Sequence, residues 1–148
     1  MISINTIDNE YSISFDKHKS YFNENIYTIK IMNTISNFEI CNVSFTDSEN
    51  DILLDNLQNV INTNIDNFYF YFNMKQDNYI NTILHIEVLD KLITPFFIDL
   101  SNVRMKIFHY TDEKMKKIIS IDITYLIEKI FDILLSLRYD ISTDNLLV

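Results

Sequence analysis

A chain of 148 residues with no glycine must turn every corner with a residue that carries a Cβ. Positive φ then falls to asparagine and aspartate, the residues that tolerate the left-handed region best after glycine. The chain has 18 asparagines, and several lie in polar stretches between apolar runs, such as Asp8-Asn9 and Asn33 to Asn37. The same absence rules out the glycine loops that cradle phosphates and the G-x-S-x-G nucleophile elbow. Most nucleotide-dependent enzymes are excluded with them. Alanine and tryptophan are also missing, while isoleucine occurs 26 times, a bias that an AT-rich coding sequence explains.

Between the turns, the apolar spacing has two periods. Tyr11, Ile13 and Phe15 alternate with Ser12, Ser14 and Asp16, the pattern of a half-buried strand. Ile2 and Ile4 suggest a short strand before it. Tyr27, Ile29 and Ile31, and then Cys41, Val43 and Phe45, continue the alternation. At Thr46 the period changes to that of a helix. Thr46-x-x-Glu49 has capping-box spacing, and Leu53, Leu57, Val60 and Ile61 form one stripe, which predicts a helix over about 48–62.

Strands return with "NFYFYFNM", where Phe68, Phe70 and Phe72 point one way and Tyr69 and Tyr71 the other. Lys75 to Asn78 reads as a polar turn. In "YINTILHIEVL", Ile80, Thr82, Leu84, Ile86 and Val88 share one face, and Asn81, His85 and Glu87 share the other. Asp90-Lys91 reads as a hairpin-like break. In "LITPFFIDL", Pro95 cannot donate to a ladder, which suggests an edge strand. "VRMKIFHY" and "KKIISIDI" supply two more strands. Leu126, Ile130, Leu134 and Leu137 mark a closing helix over about 123–138, and the tail from Asp140 reads as loose. The expectation is a single α+β domain over 1–148: a mostly antiparallel sheet of about six to eight strands with two amphipathic helices on one face.

Composition limits the functional classes. With 47% apolar and 22% charged residues the chain is an ordinary globular one, able to bury roughly 70% of its unfolded surface. No apolar run approaches the ~20 residues of a membrane span. No signal peptide is visible, and the single Cys41 cannot form an internal disulfide, so a cytoplasmic location is expected. A net charge of −9 repels phosphate backbones and attracts basic proteins.

Each chemical motif has a plain structural reading. Five aromatic rings at residues 68–72 could stack bases, but no Lys or Arg occurs from Ile31 to Met74, so the phenylalanines are read as core. The tyrosines stay available to a partner protein. "DSENDILLD" imitates a calcium loop, but Ile52 stands where the glycine belongs and Gln58 where the bidentate glutamate belongs. His18, His85 and His109 have no metal-ligand spacing, and His85 is read onto a solvated sheet face. Cys41 shares a face with Val43 and Phe45 and is read as an inert core thiol. Arg104, Lys106, Lys114, Lys116 and Lys117 are read as the exposed face of an edge strand. No catalytic residues, metal or cofactor are assigned. The candidate partner-binding residues are Asp47, Glu49, Asp51 and Asp55, with Asp51 and Asp55 one helical turn apart, together with Tyr69 and Tyr71.

This order of elements — opening strands, the capped helix in "SFTDSENDILLDNLQNVI", the "FYFYF" strand, hairpins and the closing "DITYLIEKIFDILLSL" helix — resembles small bacterial immunity proteins. The type is the WapI-like family, which guards against wall-associated polymorphic toxins, and the likeness spans residues 26 to 138. The resemblance implies a stoichiometric inhibitor that binds a secreted toxin's C-terminal domain, often a nuclease, and occludes its active site. The partner would be a toxin with a basic surface, bound without nucleic acid or membrane. A viral or phage inhibitor of a host nucleic-acid enzyme, an enzyme with a dispersed active site and a structural subunit remain as alternatives.

Overall fold

The computed structural model describes residues 1–76, 80–111 and 114–141. Among them the chain forms eight strands and two helices: β1 (Ile2–Asn5), β2 (Tyr11–Lys19), β3 (Asn25–Asn33), β4 (Glu39–Thr46), α1 (Asp47–Asn62), β5 (Asn67–Gln76), β6 (Ile80–Ile93), β7 (Ile98–Thr111), β8 (Lys114–Asp122) and α2 (Ile127–Tyr139). The strands form two four-stranded sheets, β1-β2-β3-β4 and β5-β6-β7-β8, antiparallel throughout. The fold is α+β, and the chain runs twice through the same order: a four-stranded meander, then a helix.

The glycine-free turns are made by the residues expected. Positive φ falls on Asn9, Asn23, Asn37 and Asp140, at 54–62°. Three of these close the hairpins of the first sheet, and Asp140 ends α2 in the left-handed conformation. Thr46 caps α1 in a reciprocal box: its hydroxyl accepts from the Glu49 N–H, and the Glu49 carboxylate accepts from the Thr46 N–H at 3.0 Å.

One core joins both sheets and both helices. Ile13, Phe15, Val43 and Phe45 come from the first sheet, Phe70, Phe72, Leu84, Ile86 and Met105 from the second, and Leu53, Leu57, Ile130 and Leu134 from the helices. Phe45 bridges the sheets. It stacks on Tyr27 at 5.7 Å and meets Phe70 and Phe72 at 6.5 and 5.7 Å. Burying these large aromatic surfaces at the seam helps hold the sheets together.

Four expectations are corrected. Asp90-Lys91 is not a break, because β6 runs through it to Ile93, and the reversal falls at Thr94–Phe97. Pro95 sits in that reversal between two central strands, not in an edge strand; the turn needs no N–H from it. The closing helix begins at Ile127 rather than near 123. Asp122 accepts from both the N–H and the hydroxyl of Thr124, which holds residues 124–126 in a turn first. Lys75 and Gln76, expected in a polar turn over Lys75 to Asn78, belong to β5, where Gln76 pairs with Ile80. The rest of that turn at Asp77 and Asn78, the acids Asp112 and Glu113, and the tail beyond Ile141 lie outside the described residues.

Candidate partner-binding surface

The acids of α1 divide between internal work and solvent. Glu49 is 6% exposed. One carboxylate oxygen accepts from the Thr46 N–H and hydroxyl, and the other accepts from the Asn73 N–H at 3.0 Å, which fastens β5 to the start of α1. Glu49 is therefore structural and belongs to no docking surface. Asp47 accepts from the hydroxyl of the buried Tyr27 and from the Asn25 amide at 3.1 Å. Burial would raise its pKa, but those two hydrogen bonds and the Arg138 charge hold it below the usual carboxylate value. Asp51 receives the Arg138 guanidinium. Asp55 alone of the four is exposed with no hydrogen-bond or ion-pair partner among the described residues. Asp51 and Asp55 share a helix face, as their spacing requires, but Asp51 is already engaged.

Tyr69 and Tyr71 lie on the outer face of the second sheet, both just over half exposed. Phe68, Phe70 and Phe72 fill the core beside α1 from the other face of β5, so the tyrosines point away from the layer that carries Asp55. Register builds the rest of this face. One row reads Tyr69, His85, Lys106, Ser120, and the next reads Tyr71, Ile83, Phe108, Lys117. A shallow groove of about 500 Å³ opens beside Tyr71, floored by Ile83 and flanked by Asn81, Tyr110 and Met115.

His85 is not solvated as its alternation suggested. The Tyr69 ring stacks on it at 4.0 Å and 5°, leaving it buried, and burial lowers its pKa. The cations missing from the sequence around the tyrosines arrive by strand pairing. Lys106 sits next to His85 and pairs with Glu87 at 3.2 Å, while Arg104 donates to the Ser120 hydroxyl and carbonyl. Sequence spacing alone could not place Tyr110 and Met115 beside Tyr71, because they lie more than 30 residues away; only register brings them together. Of the five cations read onto the exposed face of an edge strand, Lys114, Lys116 and Lys117 are exposed on the edge strand β8. Arg104 and Lys106 are instead half-buried on β7, a central strand paired on both sides.

Cys41 is buried, and burial pushes its thiol up to about 12, so it is an inert core group. Among the described residues no cluster of three His, Cys, Asp or Glu could hold a metal, and no helix is long and apolar enough to cross a membrane. Compared with known proteins, the chain matches no family model and no curated protein.

Proposed function

We propose that this chain is an immunity-type inhibitor, acting in the cytoplasm, that binds a toxin protein one to one and blocks its basic active-site cleft without performing chemistry itself. The observation that carries this reading is the outer face of the second sheet. Tyr71, Tyr110 and Met115 are exposed around one groove, with Tyr69 exposed on the same face of the sheet, and tyrosine and methionine are among the residues enriched in protein interfaces. A sheet-mounted tyrosine offers a large contact area for little lost side-chain freedom. The net charge of −9 steers such a face toward a cationic partner. With three of the four α1 acids held internally, long-range steering comes from the whole molecule, and of that set only Asp55 is free to meet the partner directly.

The test uses the toxin domain encoded beside this gene. The intact chain should neutralise it, and Tyr69→Ala with Tyr71→Ala should weaken binding by roughly 30-fold or more. Failure of the wild-type chain to bind that domain overturns the function. Undiminished binding by the double variant overturns the surface.

A further inference from the structure

The two central strands of the second sheet outrun their neighbours. β5 pairs with β6 as far as Glu87, and β8 with β7 as far as Arg104, so residues 89–102 continue as a two-stranded arm. Two bulges, with Leu89 and Ser101 as the extra residues, mark where the arm leaves the sheet.

A two-stranded ribbon alone is marginally stable in water, but this one is fixed at both ends. At its base Lys91 turns inward, its side chain 4% exposed, and donates to the carbonyls of Val60, Thr63 and Ile65 at 2.8, 2.8 and 2.6 Å. At the tip the Thr94 N–H donates to the Phe97 carbonyl, and the Thr94 hydroxyl accepts from the N–H groups of Phe96 and Phe97. The turn is thereby set before any partner arrives.

What this rigid tip presents is apolar. Phe96 is 93% exposed, and Phe97, Leu92 and Ile93 are each more than half exposed. Apolar clusters of this kind on a soluble surface mark interaction sites. The exposed charges on the arm have one sign. Asp90 and Asp99 are exposed, while the arm's only cation, Lys91, is sequestered at the base, where it also stands 3.8 Å from Asp66.

We propose that the arm is an inhibitory finger: the Phe96–Phe97 tip inserts into an apolar cavity of the partner protein whose rim carries lysines and arginines facing Asp90 and Asp99. This rests on the inhibitor reading above and names the part of the chain that enters the partner's basic cleft. The aspartates steer the approach, and the fixed turn limits the ordering cost of binding.

The experiment titrates the intact chain against the toxin domain encoded beside it, comparing wild type with Phe96→Ser/Phe97→Ser and with Asp90→Asn/Asp99→Asn. The phenylalanine variant should keep the wild-type melting temperature, since its side chains face solvent, and lose at least ~100-fold in affinity. The aspartate variant should slow association roughly 10-fold at low salt and flatten its salt dependence. If the wild type fails to bind, the inhibitor reading falls and the finger with it. If the wild type binds and the phenylalanine variant stays within threefold of it, the finger alone is overturned. A wild-type dimer that this variant converts to monomer, or binding to phosphatidylcholine vesicles that it abolishes, also overturns the finger, in favour of a second copy or a bilayer.

Discussion

Arg138 of α2 grips Asp51 of α1 at two points, Nε to Oδ1 at 2.8 Å and Nη2 to Oδ2 at 3.3 Å, across 87 residues of sequence. The third guanidinium nitrogen, Nη1, stands 3.7 Å from Asp47. The end of one ββββα half is thus tied to the first turns of the other half's helix. The pair is only partly exposed and its geometry is fork-to-fork, so it is worth more than an ordinary surface ion pair. Arg138→Met should lower stability by about 1–2 kcal/mol in urea unfolding. Asp51→Asn should cost a similar amount, and the double variant should cost less than the sum of the two. Strict additivity would show that the contact contributes nothing.

Acid sensitivity follows from Asp47 and Asp122. Burial pushes Asp47 up, but the Tyr27 and Asn25 hydrogen bonds and the Arg138 charge prevail and lower its folded value. Asp122 is lowered by the Thr124 hydroxyl and N–H. A carboxylate with a depressed folded value adds stability that is present above the unfolded value near ~4 and lost as pH falls through the folded value. The melting temperature should therefore be flat above about pH 5 and fall below about pH 4. Asp47→Asn should reduce that fall while lowering the neutral-pH plateau. An unchanged acid limb would remove Asp47 as its cause.

Charge changes along α1 should separate structure from binding. Glu49→Ala strands the Thr46 and Asn73 N–H groups at a buried carboxylate site and should cost about 2–3 kcal/mol. Asp55→Lys, at an exposed position, should stay within about 0.5 kcal/mol of wild type. Circular dichroism melts of the two variants decide the point. Equal destabilisation by both would contradict the division of the α1 acids.

Much of the fold was legible because its rules are local. Alternation marked β2, β3 and β4, Thr46-x-x-Glu49 marked the start of α1 within a residue, and the lack of glycine identified which residue types would carry positive φ. The site was less legible, because its residues meet through register and long-range contact. Arg138 lies 87 residues from Asp51, so no window around "DSENDILLD" shows that these acids already have a cation. His85 looked solvated because alternation gives its face but not the Tyr69 ring that covers it. The Asp90-Lys91 pair looked like a turn because two charges usually interrupt a strand in solvent; Lys91 instead buries its amine against another element's carbonyls.

That buried amine gives the last prediction. α1 has no basic residue in its final turn, and Lys91 supplies the missing cation from the arm, where it meets the negative end of the helix dipole. Lys91→Met keeps the aliphatic stem but removes three charge-assisted hydrogen bonds. Part of the loss returns as water reaches the Ile65 carbonyl, so the net cost should be about 2 kcal/mol. The location of the effect is the sharper expectation. Amides of residues 59–63 and 90–102 should exchange faster with deuterated solvent, while those of β2 and β3 should change only by the global loss. Because the anchor fixes the arm proposed as a finger, the variant should also bind the proposed toxin partner more weakly than its stability loss explains. Uniform acceleration of exchange across both sheets would show that Lys91 supports the whole core rather than the arm.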